Sequence, residues 1–237
     1  MIILDSVTKK FGALIAVDNV NYTIQKGESF ALLGPNGAGK TTIVRMLLDF
    51  IKPSSGRILI NGLPPSDPES RRHIGYISEQ NIIPPYLSGF KYLSRNASLI
   101  GLSGKEITKE IDRVLEIVSM KGQGKIKCAA YSKGMKQRIG LGAALLGQPM
   151  LLILDEPING LDPIGIRDVR NILETLRGMG VTVILNSHIL SEVEKTCETA
   201  AIMHKGKILV KDSIKRIVKH NETLEDVFVR YIEHDNE

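Results

Sequence analysis

Apolar positions along this chain fall into two textures. The first is a set of short, nearly continuous runs: Phe30-Ala31-Leu32-Leu33, Met150-Leu151-Leu152-Ile153-Leu154 and Val181-Thr182-Val183-Ile184-Leu185. Such runs predict strands buried on both faces of a parallel sheet. Ile2 to Val7, Asn21 to Ile24, Gly56 to Ile60 and Ile74 to Ile77 read as further short strands, and Asn61-Gly62 as a tight turn. Ala200 to Met203 and Lys207 to Val210 flank Lys205-Gly206 and read as an edge hairpin. The second texture is helical. Between Tyr86 and Met120, Leu87, Phe90, Leu93, Ile107, Ile111, Val114, Leu115 and Val118 recur at helix spacing, predicting a helical insertion that ends near Ala130. Ile43 to Leu48, Ile166 to Leu176 and Leu224 to Ile232 read as helices outside it. Strands alternating with helices predict an α/β fold with its site at the C-terminal ends of the strands.

Composition narrows the class. A chain of 237 residues with 43% apolar content buries a sizeable core. Its net charge of +5 is spread along the chain, with Lys121, Lys125 and Lys127 as the densest patch, in a glycine-containing loop. That balance suits a solvated surface and leaves an anionic partner open. Cys128 and Cys197 make no disulfide framework and have no zinc-like spacing around them. The start Met1-Ile2-Ile3-Leu4-Asp5 lacks the basic flank and apolar core of a signal peptide. Leu141 to Leu154 is broken by Gly147, Gln148 and Pro149, short of the roughly 20 apolar residues that span a bilayer. The chain is therefore expected to be cytosolic by itself and to reach a membrane only through a partner.

The chemistry concentrates in Gly34-Pro35-Asn36-Gly37-Ala38-Gly39-Lys40-Thr41-Thr42, between the Phe30 strand and the Ile43 helix. This is the strand, glycine loop and helix of a phosphate-binding loop. Its N–H groups surround an anion, Lys40 reaches the β- and γ-phosphates, and Thr41 offers a hydroxyl to Mg²⁺. A second element ends the buried run Leu151 to Leu154 in Asp155-Glu156-Pro157. Asp155 suits Mg²⁺, and Glu156 suits a general base that polarises an attacking water.

Tyr131-Ser132-Lys133-Gly134-Met135-Lys136-Gln137-Arg138 precedes that pair. By itself it reads as a helix start capped by Ser132, which is also an anion-binding geometry. Together with the loop and the carboxylates it carries a resemblance. Over almost all of its length the chain resembles an ATP-binding cassette (ABC) ATPase subunit, most nearly those serving ABC-2-type exporters. The family signature begins Leu-Ser-Gly-Gly-Gln; here Tyr131, Lys133 and Met135 replace three of those residues, while Ser132 and Gly134 remain.

The resemblance implies a P-loop NTPase with a mostly parallel sheet core, an N-terminal antiparallel β portion and an inserted α-helical subdomain. The core would take 1–80 and 131–215, the helical subdomain 81–130 and a short tail 216–237. Phe11 would stack on adenine, with Val17 also among the ATP-binding positions. Asn159-Gly160-Leu161-Asp162 matches the family's D-loop, and His188 its switch histidine. After Ile74-Gly75-Tyr76-Ile77 the family commonly places a metal-contacting glutamine; here Glu79 takes that place and Gln80 follows, so either could face the metal. Asn81 to Ser88 resembles the segment that meets a membrane partner.

The implied mechanism is a head-to-tail dimer, homomeric or heteromeric. It would hold ATP and Mg²⁺ between Lys40 of one chain and Ser132 and Gly134 of the other, and drive a separate permease from the cytoplasmic face. Glu222 to Phe228 resembles the tail of exporter subunits, and with no long regulatory domain after it an exporter is favoured over an importer. The competing class is an ABC ATPase without a membrane partner, acting on nucleic acid or a ribonucleoprotein. Against it stand a single cassette and no heptad insertion. The cargo is not written in this chain.

Overall fold

The computed structural model describes residues 1–219 and 221–235. Of the expected tail, 220, 236 and 237 lie outside them. The chain divides into two compact units, Met1–Arg72 with Thr182–Glu237, and His73–Val181. In chain order the first unit begins with β1 (Ile2–Phe11), β2 (Leu14–Ile24), β3 (Ser29–Leu33), α1 (Lys40–Leu47), β4 (Ser55–Ile60) and α2 (Pro68–Arg71). The second unit holds β5 (Ile74–Ile77), α3 (Gly89–Leu99), α4 (Gly104–Ile117), α5 (Lys133–Ala144), β6 (Leu151–Asp155) and α6 (Pro163–Gly178). The first then resumes with β7 (Thr182–Asn186), α7 (Leu190–Thr196), β8 (Thr199–His204), β9 (Lys207–Ser213), α8 (Ile214–Ile217) and α9 (Leu224–His234).

In the first unit β3 lies between β7 and β8, parallel to both, and β9 closes the edge antiparallel to β8. Every residue of β3 and β7 is buried, as their continuous apolar runs require. A separate antiparallel sheet pairs β1 with β2 and β4. Strands β1 and β2 run well past the expected Ile2–Val7 and Asn21–Ile24. The reason is bulging: the β1–β2 register shifts after Leu4, and Ser6 and Asn19 take left-handed φ of 53° and 48°. Each bulge breaks the two-residue alternation by which a strand is recognised. The Asn21 side chain accepts the Ser6 N–H at 2.7 Å and satisfies the displaced backbone. Both expected tight turns form, with φ of 51° and 85° at Asn61-Gly62 and 45° and 83° at Lys205-Gly206. Consecutive positive φ values suit the twist of a two-residue hairpin.

In the second unit β5 and β6 pair in parallel, and all of β6 is buried. The helical stretch expected from Tyr86 to Met120 is two helices, parted where Gly101 turns at φ 91°. Leu93 and Ala97 of α3, Ile111 and Val114 of α4 and Ile139 and Leu141 of α5 are fully buried. Side chains cap the helices at their starts. Ser88 accepts from Lys91 N–H, Ser132 from Met135 N–H and Asp162 from Gly165 N–H. In the first unit Thr223 and Asp226 form a reciprocal capping box on α9. Among the described residues no helix is long and apolar enough to cross a membrane. The α/β class, with its parallel strands and antiparallel N-terminal sheet, is as the sequence predicts.

One buried polar group stands out. Tyr22 of β2 stacks on Phe30 of β3 with ring centroids 5.2 Å apart. Its hydroxyl is buried with no hydrogen-bond partner among the described residues, and burial, with Glu28 adding to it, raises its pKa. The Lys211 ammonium lies 5.2 Å from the Tyr22 ring centre and donates to the Thr23 carbonyl instead. A buried unpaired hydroxyl costs about 1–3 kcal/mol. Tyr22→Phe is therefore expected to raise the melting temperature, by about 2–4 °C for each kcal/mol recovered. Thermal denaturation checks this, and a lowered melting temperature would show that the hydroxyl is paired in solution.

Candidate functional site

The loop between β3 and α1 is shaped by two close backbone approaches. A Cβ on Gly34 would lie 2.2 Å from the Met203 carbonyl oxygen, and one on Gly39 would lie 2.3 Å from that of Ala16. Their φ angles, 153° and 109°, also disfavour any side chain. Between them Ala38 N–H donates to Pro35 O at 3.2 Å, and Asn36 and Gly37 form the exposed crest. Helix α1 starts at Lys40 with no side-chain cap and no acidic residue in its first turn. The positive end of its dipole is thus offset by no acid of its own first turn, which suits an anion. The Lys40 ammonium, largely buried, donates to Gly34 O at 2.6 Å and Pro35 O at 3.0 Å. Thr41 is exposed and Thr42 half-buried beside it.

Three further expected residues lie in this unit. Phe11 ends β1 and is 48% exposed, an aromatic residue at the surface on which a base could stack. Lys9 lies 5.1 Å from the ring centre and is anchored by donation to Lys52 O at 2.7 Å. Val17, by contrast, is fully buried, so its side chain belongs to the packing of β2. His188 is exposed just beyond β7, after Ser187, whose buried hydroxyl accepts the Ile189 N–H at 3.2 Å.

The other expected residues lie in the second unit. Asp155 is buried at the end of β6. Glu156 follows with φ 50°, a left-handed conformation unusual for a residue with a side chain. Such backbone costs of order 1–3 kcal/mol and tends to mark functional positions. Asp162 caps α6 with its Oδ1 on Gly165 N–H at 2.8 Å. Ser132 and Gly134 lie at the start of α5, Ser132 exposed. Tyr131, which stands in place of the usual leucine, is buried and donates to Gln123 O at 2.8 Å. Burial raises its pKa, so it remains a neutral donor. Glu79 and Gln80 are both exposed after β5.

Sequence reasoning placed Asn81 only at the head of the partner-facing segment and missed its tie to α5. It donates to Lys136 O at 3.3 Å, and its amide occupies space that a Cβ on Gly140 would enter at 1.9 Å. The segment after Glu79 and Gln80 is thereby tied to α5. The available signal was a glycine in the interior of a helix, which asks for a close neighbour.

With this geometry in view, comparison with known proteins decides the family. Residues 17–159 match the ABC transporter family model. The chain belongs to the ABC transporter family. It is 41% identical over 238 aligned residues to an uncharacterized ABC transporter ATP-binding protein, YhcH, of Bacillus subtilis (strain 168), covering 99% of this chain and 76% of that protein. It is 42% identical to the bacitracin transport ATP-binding protein BcrA of Bacillus licheniformis, covering 91% of this chain and 70% of that one. Two further relatives are longer, the chain spanning 63% and 59% of them. A solved structure described as the ATP binding subunit of an ABC transporter superposes with a TM-score of 0.86 at 29% identity, covering 98% of this chain and 99% of that one. The chain is thus an ATP-binding subunit and ATPase of the ABC family, as its motifs imply. The matches point to transporters rather than to the nucleic-acid class.

Loop geometry sets a graded expectation. Gly37→Ala meets nothing within 4 Å and carries only the cost of its φ of 81°, about 1–2 kcal/mol. Gly39→Ala adds the collision with Ala16. Gly39→Ala should therefore lower the melting temperature clearly more than Gly37→Ala; equal losses would contradict the close approach.

Proposed function

We propose that this ABC ATPase powers a membrane permease of the ABC-2 exporter type. The observation that carries the reading is the phosphate loop with its uncapped helix and largely buried lysine, in a chain 42% identical to a bacitracin transport ATP-binding protein. Its Tyr-Ser-Lys-Gly-Met signature favours the exporter branch.

In this reading ATP binds with its phosphates against the N–H groups of Gly34 to Thr42, and Lys40 exchanges its two carbonyl partners for phosphate oxygens. Phe11 stacks on the base. Ser132 and Gly134 of a second copy, or of a related ATPase, complete the site head to tail, and Asp162 keeps the neighbouring loop in register by capping α6. Glu156 takes a proton from the attacking water, and His188 donates to the γ-phosphate oxygens. ATP favours the closed pair, hydrolysis removes that preference, and the permease follows.

Mg²⁺ fits the donors present. Thr41 would supply a hydroxyl and Asp155 a carboxylate, with Glu79 or Gln80 as a further oxygen. A set with few protein oxygens suits an ion that keeps water and phosphate ligands. When bound, Mg²⁺ neutralises charge developing on the phosphates. The segment 81–88 within the helical part 81–130 is the proposed contact with the permease. It carries the exposed Ile82 and Tyr86 and would hold the chain peripherally at the cytoplasmic face.

The test is a tagged Glu156→Gln chain. Its ATP turnover should fall at least about tenfold while ATP binding persists. Captured with ATP from detergent-solubilised membranes, it should retain a multispanning protein. Unchanged turnover would remove Glu156 from the base role, and capture without any membrane protein would remove the permease.

A further inference from the structure

Behind the phosphate loop stands the β8–β9 turn, and the far end of α9 grips that turn. We infer that Asp235 and His204 are positioning residues for nucleotide binding, acting through the turn on the loop. The inference rests on residues 34–42 being the phosphate-binding loop.

The chain of contacts is short. The Asp235 carboxylate accepts a 2.7 Å hydrogen bond from His204 Nδ1, and the Lys205 ammonium donates to the Asp235 carbonyl at 3.2 Å. The next residue, Gly206, donates its N–H to Ala38 O of the phosphate loop at 3.0 Å. Its own carbonyl accepts from Asp18 N–H at 2.8 Å. On the other side of His204, the Met203 carbonyl and methyl group press on Gly34 and Gly39 where no Cβ intervenes. At Gly34 backbone touches backbone, so a displacement of the turn reaches the loop there with no side chain to absorb it.

Each partner also has anchors of its own. The hairpin is paired from Thr199↔Ser213 to His204↔Lys207. Helix α9 is anchored by fully buried Leu224 and Val227, a capping box and the Arg230–Glu222 ion pair. Asp235 is also the wrong charge for its place, since an acid at a helix C-terminus opposes the helix dipole. An unfavourable acid whose carboxylate meets a nearly buried histidine is placed for what that histidine holds.

The test is calorimetric titration of the full chain with ADP, well below its melting temperature. The variants are His204→Gln, Asp235→Asn and both together, with melting temperatures recorded alongside. Each single variant should raise the ADP Kd about fivefold, the low end of coupling between linked sites. Each should melt within about 2 °C of the unaltered chain. The double variant should bind no more weakly than a single one. An ADP Kd within about twofold of the original in both singles, or effects that add in the double, overturns the inference. Lys40→Ala separates the two levels: if it abolishes ADP binding the loop reading stands whatever the latch variants do. If it binds ADP unchanged, the loop reading fails and the inference with it.

Discussion

Two carbonyl oxygens, those of Met203 and Ala16, leave the chain one path between β3 and α1. That path passes too close for a side chain at Gly34 or Gly39. The path of the loop is therefore set before any ligand arrives, and the lysine at its base rests on Gly34 and Pro35 carbonyls. Such preorganisation matters because a fixed dipole array needs no reorganisation when an anion binds. The rest of the first unit serves this arrangement. Pairing of Leu33 with Ile202 brings β8 alongside the loop, and the Asp18–Gly206 hydrogen bond ties β2 to the turn behind it.

The second unit solves a different problem, placing carboxylates and a capped helix start on rigid elements. Burial of all of β6 fixes Asp155 at its end, and the chain then turns sharply through a left-handed Glu156. Strain at that residue is tolerable because the strand before it is fully packed. At α5 the Ser132 cap and the buried Tyr131 hydroxyl hold the first turn from two sides. The tyrosine is a workable replacement for leucine here because its one polar atom finds a carbonyl.

Much of this was legible in the sequence, and the illegible parts share a cause. β3, β6 and β7 were readable because strands buried on both faces need apolar residues throughout, and the loop and the Asp155-Glu156 pair because phosphate and metal chemistry fix residue types at fixed spacing. The full lengths of β1 and β2 were hidden by bulges at Ser6 and Asn19, which reset the alternation. Long-range contacts left no periodic trace either. The Asn81 amide over Gly140 and the Asp235–His204 pair join residues far apart in the chain. Val17 entered the nucleotide positions through resemblance, whereas its side chain is buried in β2.

The most direct test of the loop as a preformed phosphate cradle is a crystal structure of this chain with ADP and Mg²⁺. The account predicts the β-phosphate inside the ring of N–H groups from Gly37 to Thr41. The Lys40 ammonium should have left the Gly34 and Pro35 carbonyls for phosphate oxygen, and the Met203 and Ala16 contacts should be unchanged. A diphosphate bound elsewhere, or a loop that must move away from Met203 and Ala16 to admit it, would contradict the account.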